Sequence, residues 1–177
     1  MNLSKLYKLQ AELDKHIIEK HNIKMNKEEL LDNTILALLV EVGELANTTR
    51  CFKHWSTKKM MQRGIVIEEL ADVIHFYLSI GNQAGFRWNK MKKTNYNPLW
   101  NEETNSSLTF IFSIIYIEIS AISNDTHNNE GNNDFSYQKI GRNISRLMEV
   151  LGFTDEEVEQ AYLKKHEENY KRQREGY

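Results

Sequence analysis

The sequence has few of the residues that interrupt helices or link distant parts of a chain. Its 177 residues include 1 proline, 8 glycines and 1 cysteine. The single cysteine, Cys51, excludes an intramolecular disulfide, and nothing in the chain indicates an oxidising compartment. Because proline and glycine are scarce, long helices can form without interruption.

Three further absences exclude whole classes of function. The longest largely apolar run, Leu108 to Ile117, is about half of the roughly 20 residues that a membrane-spanning helix needs. The N-terminal residues, which include Lys5 and Lys8, lack the apolar stretch of a secretory signal. A formal net charge of -2 gives no basic field for nucleic-acid polymers. We therefore expect a cytoplasmic, single-domain protein that binds neither membranes nor nucleic-acid polymers.

Apolar residues recur every three or four positions along most of the chain, and no segment alternates as a strand does. The sequence therefore predicts an all-α helical bundle. The first predicted helix carries Leu6, Leu9, Leu13 and Ile17 on one stripe, the second runs from the cap at Asn26 to about Thr49, and the third runs from Ile65 to about Ala84, where Gly85 stops it. The fourth covers Leu108 to Ile122. The fifth carries Ile140, Ile144 and Leu147 and ends at Gly152, and Thr154 caps the last one. Residues 124–134 are predicted to form a polar loop.

Two pairs of acids are candidates for a metal site, and each pair spans three positions, so that both acids share one helix face. The pairs are Glu41 with Glu44 and Glu69 with Asp72. The spacing alone has little specificity, because Glu29 with Asp32 and Glu156 with Glu159 show it too, and those two pairs we interpret as solvated. The difference lies in the apolar residues that flank the two candidate pairs, which predict that their acids face inward.

Burying four carboxylates without partners would cost several kcal/mol each, so they need a cation. Magnesium prefers carboxylate oxygens. The alternative is a structural salt-bridge network with Lys or Arg from elsewhere in the chain. From the residues alone both interpretations stay open.

Further polar and aromatic residues have a functional and a structural interpretation each. Lys165, Asn169 and Arg172 form one stripe of donors on the last helix, which suits a triphosphate but equally suits a solvated helix end. Trp55 either stacks on a base or covers the core. His75, one turn after Asp72, is more often a core residue than a ligand.

Several motifs occur together and in order along nearly the whole chain. They are Leu9-Gln10 with Leu13-Asp14, the run from Glu41 to Asn47, the run from Glu68 to Phe76, and the tail from Lys165 through Asn169 and Arg172 to Tyr177. With them the chain resembles the dimeric, all-α dUTPases, which are related to MazG-like nucleotide pyrophosphatases. Any one motif is weak, but the ordered set is specific.

The resemblance implies a magnesium-dependent hydrolysis of dUTP to dUMP and pyrophosphate, with dUDP as a further substrate. Two or more magnesium ions, which manganese can replace, would be held by the four acids, and Glu44 would activate the attacking water. The residues implied in substrate binding are Gln10, Asp14, Lys53, Trp55, Phe76, Lys165, Asn169 and Arg172. His166, where many relatives carry asparagine, is left out of this set.

Within the substrate set, the resemblance gives Gln10 the role of reading uracil and Trp55 that of lining the base pocket. Phe76 would fill the space of a ribose 2′-hydroxyl, and Asp72 would meet the 3′-hydroxyl. Lys165, Asn169 and Arg172 would hold the phosphates, with Lys53 a weaker candidate. A homodimer is expected, with an interface on the helix of Leu108 to Ile122.

Residues 91–137 do not follow the family motifs and are interpreted as an insertion in a single domain over 1–177. Their Asn-rich character is most similar to dUTPases encoded by staphylococcal phages. That similarity implies a second role, as an anti-repressor that binds the repressor of a pathogenicity island. The alternatives are a related pyrophosphatase that acts on dCTP or several nucleotides, a repressor-binding module without activity, and a helical bundle without a ligand.

Overall fold

A computed structural model describes residues 1–89, 104–128 and 133–176 of the chain. These residues form six α-helices and no strand, which confirms the predicted all-α fold. The helices are α1 (Leu3–Lys20), α2 (Lys27–Thr49), α3 (Arg63–Ala84), α4 (Thr104–Asn128), α5 (Asn133–Val150) and α6 (Asp155–Glu175). None of them is long and apolar enough to cross a membrane.

The helix ends follow the capping chemistry of the sequence. Asn26 opens α2 with a capping box to Glu29, and Thr154 opens α6 with a capping box to Glu157. In each box two of the free backbone N–H groups of the first turn find a side-chain acceptor. Gly85 ends α3 in the left-handed region at φ 78°, a conformation that only glycine adopts readily.

The central helix is α3, which packs against α1, α2 and α6, while α4 packs against α2 and α5. Its side chains at Leu70, Val73, Ile74 and Leu78 are completely buried. A helix buried on most of its faces can hold polar groups only if neighbouring helices supply their partners. The few polar side chains of α3 are therefore informative about function.

Three tyrosines connect α1, α3 and α5 in the core. The hydroxyls of Tyr7 and Tyr137 are 2.6 Å apart. The Tyr77 hydroxyl donates to the Tyr137 carbonyl at 2.9 Å, and the Tyr137 hydroxyl to the Tyr77 carbonyl at 3.1 Å. Gly81 lets this cluster approach α3, because a Cβ there would lie 2.9 Å from the Tyr7 ring.

The predicted loop over 124–134 is wrong at both ends. α4 continues to Asn128 and α5 already begins at Asn133. Asn, Asp and Thr have weak helix propensity, but packing of α4 against α5 overrides so small a preference. The Gln138 amide also donates to Asp134 at 2.9 Å across the first turn of α5. Residue 90 lies outside the described residues, and so do residues 91–103 and 129–132, which belong to the expected insertion at 91–137.

A cluster of carboxylates and a buried polar network

Three of the four predicted acids converge between α2 and α3. Glu41 of α2 and Glu69 and Asp72 of α3 each offer one carboxylate oxygen, and these oxygens lie within 4.8 Å of one another. All three side chains are half-buried. They meet because α2 and α3 pack along each other, and because residues 69 and 72 share a face of α3.

Glu44 lies at the rim of this three-carboxylate cluster. The sequence predicts that it faces inward, but it is exposed. Three residues turn a helix by about 300°, so that Glu44 points about 60° away from Glu41 and beyond the helix contact. It is nevertheless close enough for its charge to raise the pKa of Glu41 and Glu69.

The cluster destabilises its own negative charge. Burial, followed by the charges of Asp72, Glu44 and Glu69, raises the pKa of Glu41 to about 7. Burial is also the main reason why the pKa values of Glu69 and Asp72 are raised. Oxygen ligands that repel one another when ionised are the arrangement that a hard divalent cation stabilises.

Lys165 of α6 supplies one positive charge to the cluster. Its Nζ lies 2.7 Å from Asp72 Oδ2, and the two side chains are only 17% and 14% exposed. The salt-bridge interpretation is therefore correct for Asp72. In the part of the chain that the structure describes, Glu41 and Glu69 form no such ion pair, so a proton or a bound cation has to neutralise their charge.

The predicted donor stripe on α6 thus reaches the acids at its first residue. Asn169 is half-buried one turn further along the helix. Arg172 donates to Glu168 at 2.7 Å, and its charge contributes to lowering the pKa of Asp72. α6 therefore places cationic groups beside the cluster, where an anionic ligand would bind.

Gln10 of α1 is buried, at 4% exposed, and its amide belongs to a network that joins α1, α3 and α6. Its Nε2 donates to Asp14 Oδ1 at 2.7 Å. Its Oε1 accepts from the Tyr162 hydroxyl at 2.8 Å and lies 2.7 Å from His75 Nδ1. The Ser79 hydroxyl donates to Asp14 Oδ2 at 2.7 Å.

Phe76 connects this network to the three-carboxylate cluster. Asp72, Phe76 and Ser79 occupy positions i, i+4 and i+7 of α3 and therefore one stripe. Phe76 is half-buried against the core between the two polar residues. An acidic end, an aromatic middle and a hydrogen-bonding end thus follow one another along a single helix.

Trp55 and Lys53 lie in the segment after α2. Trp55 is 68% exposed, and its ring makes edge contacts with His54 at 4.9 Å and Phe52 at 6.0 Å. Lys53 donates to Asn47 and lies 5.5 Å above the Phe52 ring. The core-covering interpretation of Trp55 is wrong, since so exposed a ring covers little.

Sequence reasoning missed two members of the buried network, Tyr162 and Ser79. Their positions held a signal: Ser79 lies seven residues after Asp72, and Tyr162 three before Lys165, at helical spacing from site candidates. His166 is also buried, at 8% exposed, with its ring 6.1 Å from that of Tyr162. Its Nδ1 has no hydrogen-bond partner among the described residues.

The fold and the site together define a class of protein. It is an all-α bundle in which acids on two packed helices offer a cluster of carboxylate oxygens, the ligands that hard divalent cations prefer, beside cationic side chains and a buried amide. Such a combination suits hydrolysis of a phosphorylated ligand, because metal ions neutralise charge on phosphate oxygens.

The comparison with protein families gives a specific result. A family model described as dUTPase matches residues 2–177. Since the match spans almost the whole chain, the protein belongs to this family of all-α dUTPases, and the family indicates dUTP diphosphatase activity. Among curated proteins there is no match.

Proposed function

We propose that the protein hydrolyses dUTP to dUMP and pyrophosphate in a magnesium-dependent reaction, and that it also cleaves dUDP. The observation that carries this proposal is the convergence of Glu41, Glu69 and Asp72 within 4.8 Å. Family membership supplies the nucleotide and the reaction. The cluster supplies the place where the phosphate chain is cut.

The residues of the cluster fit magnesium. They offer only oxygen ligands, and burial together with their mutual repulsion raises their pKa values, so that a bound cation would stabilise their ionised forms. Glu41, Glu69 and Asp72 would hold two or more magnesium ions, or manganese, with Glu44 completing the set from the rim. The metal would neutralise phosphate charge and lower the pKa of water.

Glu44 is the acid that we assign to orienting and deprotonating the attacking water. It is exposed, so that water can reach it, and it lies within electrostatic range of Glu41 and Glu69. The other three acids are half-buried and better placed to stay as ligands. A general base must lie within hydrogen-bonding reach of the proton that it removes.

Lys165, Asn169 and Arg172 would bind the phosphates, together with Lys53. For Lys165 this requires a change of partner, because its Nζ is at present bound to Asp72. A cation that replaces Lys165 at Asp72 would release the ammonium group toward the substrate. The positive charge of Lys165 would then pair with phosphate oxygens of the substrate in place of Asp72.

The stripe along α3 supports the binding of a deoxyribonucleotide. Phe76 would fill the space of a 2′-hydroxyl, and Asp72 would meet the 3′-hydroxyl. The base would then reach the end of the stripe at Gln10 and Asp14. Trp55, exposed and unconstrained by the core, would stack on the base from the segment after α2.

The main alternative is a related pyrophosphatase that accepts dCTP or several nucleotides. Initial rates of pyrophosphate release from dUTP, dCTP, dTTP and UTP, each with and without magnesium, separate the two. We expect dUTP with magnesium to give the highest kcat/KM, and we expect the reaction to stop when magnesium is omitted. Equal rates on dUTP and dCTP would overturn the proposed specificity.

We also propose a homodimer, with an interface that uses fewer residues of α4 than the sequence predicts. Most apolar residues of α4, such as Ile115 and Ile119, are buried within the chain itself. Phe110 and Ile117 on α4 and Leu36 on α2 are 48%, 65% and 60% exposed. Light scattering should give twice the mass of the chain, and Ile117→Lys should give a monomer. A native protein with the molar mass of one chain would contradict the proposed homodimer.

Repressor binding stays a prediction from the resemblance. Two stretches of the segment that suggested it, residues 91–103 and 129–132, lie outside the described residues. Calorimetric titration of the native protein into the repressor is its test, and absence of heat would contradict it.

A further inference from the structure

The side-chain amide of Gln10 is held in one orientation. Its Nε2 donates to Asp14 Oδ1 at 2.7 Å, and an ionised carboxylate can only accept. The amide oxygen therefore lies on the other side, where the Tyr162 hydroxyl donates to it at 2.8 Å. Exchanging nitrogen and oxygen would place two acceptors face to face at Asp14.

The carboxylate of Asp14 is fixed as an acceptor by further hydrogen bonds. The Ser79 hydroxyl donates to Asp14 Oδ2 at 2.7 Å. Gln83 donates one amide N–H to the Ser79 oxygen at 3.2 Å and the other to Thr34 at 2.8 Å, so that the Ser79 proton is available only for Asp14. Burial raises the pKa of Asp14, and the hydrogen bonds from Ser79 and Gln10 act in the opposite direction by stabilising the ionised form. Within the described chain Asp14 forms no ion pair.

His75 uses the remaining acceptor capacity of Gln10. Burial lowers the pKa of His75 to about 3, so the ring is neutral and carries one N–H. Its Nδ1 lies 2.7 Å from Gln10 Oε1, and its Nε2 lies 3.3 Å from the Tyr162 carbonyl oxygen. Both neighbours are acceptors, so the proton belongs on Nδ1, where the contact is shorter. Both lone pairs of the Gln10 oxygen are then engaged.

We propose that this network makes Gln10 a pure hydrogen-bond donor toward the base, and that Asp14 is the positioning residue that sets the preference for uracil over cytosine. The capacity that is left on Gln10 is its second N–H, for which the described residues provide no acceptor. Uracil carries an acceptor at O4, where cytosine carries an amino donor. The inference rests on the proposed function, since it takes a deoxyuridine nucleotide as the ligand.

Asp14→Asn is the direct test, because it keeps the shape of the side chain but can donate as well as accept. The Gln10 amide is then free to turn over and offer its oxygen to cytosine. Calorimetric titration with dUMP and dCMP, without metal, reports on base recognition independently of catalysis. We expect the preference for dUMP to fall by about tenfold, the effect of one hydrogen bond, with kcat for dUTP changed less than KM.

Ser79→Ala is the matched control, because it removes a donor to the same carboxylate but leaves Asp14 an acceptor. It should lower the melting temperature and keep the base preference. Tyr162→Phe is a second control, since it removes one donor to the Gln10 oxygen but leaves Asp14 to fix the amide, and it should also keep the base preference.

The outcomes separate this inference from the proposed function. Retention of the native preference in Asp14→Asn, or an equal loss of preference in Ser79→Ala or Tyr162→Phe, would overturn the role of Asp14 alone. Equal binding of dUMP and dCMP by the native protein would overturn the uracil specificity of the proposed function and this inference together.

Discussion

At the scale of single residues, Lys165 can pair either with the acids of the three-carboxylate cluster or with the phosphates of the proposed substrate. Its ammonium group is nearly buried against Asp72, and its charge also lowers the pKa of Glu41 and Glu69. A cation on a buried acidic cluster is strongly stabilising, because removing it leaves charge without compensation. Lys165 thus stabilises the cluster before metal binds and competes with metal for one carboxylate.

The titration of Glu41 leads to a prediction about metal and pH. Its pKa rises from 4.5 in the unfolded chain to about 7 in the folded chain, so that the folded state holds the proton more tightly. The contribution of Glu41 to stability is therefore present below pH 4.5 and is lost as the pH rises toward 7. Magnesium bound to the ionised carboxylate, as we propose, would restore that stability.

We therefore expect the increase in melting temperature on adding magnesium to be small at pH 5 and to grow through pH 7. Thermal unfolding at four pH values, with and without magnesium, measures it. Glu41→Gln removes the titrating group and should flatten the profile. A magnesium effect that is constant from pH 5 to pH 8 would contradict the assignment of Glu41 as a ligand.

Much of the site, but not its internal bonding, was predictable from single residues. The pairs Glu41 with Glu44 and Glu69 with Asp72 follow from spacing and flanking residues. The hydrogen bonds to the Gln10 amide oxygen do not follow from a sequence pattern, because the partners His75 and Tyr162 are 65 and 152 residues away. A contact across such separations depends on which helices pack, and that is not encoded in a local pattern.

At the scale of elements, the close packing of α3 against the tyrosine cluster leads to a prediction. A Cβ at Gly81 would lie 2.9 Å from Tyr7 and from Tyr137, in a core that leaves no room for it. Overpacking of this kind costs about 1–3 kcal/mol. Gly81→Ala should therefore lower the free energy of unfolding, measured by urea denaturation.

Gly64→Ala is a control on the same helix with the opposite sign. A Cβ at Gly64 meets nothing within 4 Å, and alanine gains up to about 1 kcal/mol over glycine in a helix. The same substitution should thus destabilise the protein at 81 and stabilise it at 64. A loss of stability at both positions would show that glycine is needed for another reason.

The helices themselves were largely predictable, because their caps act locally. Asn26, Gly85, Gly152 and Thr154 mark element ends in the sequence, and the structure confirms them. The C-terminal end of α4 and the start of α5 were not predictable, since no such cap marks them and the packing between the two helices extends both.

At the scale of the whole molecule, the packing of α1, α2 and α6 around α3 brings the side chains of the candidate site together. α2 and α3 supply the acids, α6 supplies Lys165, and α1 supplies the Gln10 amide. The sequence indicated each of these faces, and the family match over residues 2–177 covers all four helices. What the helix pattern could not give is that Lys165 meets Asp72, because amphipathic faces do not specify their partner.

The central claim is that the three-carboxylate cluster is the catalytic metal site of a dUTPase. Glu68 and Glu69 are neighbours on α3, but Glu68 is paired with Lys164 at the surface and only Glu69 belongs to the cluster. The most direct measurement is the rate of pyrophosphate release from dUTP with magnesium for Glu69→Gln and Glu68→Gln. We expect a loss of at least about a hundredfold for the first, since metal ligation is removed, and a native rate for the second. A native rate for Glu69→Gln, or an equal loss for both, would contradict the claim.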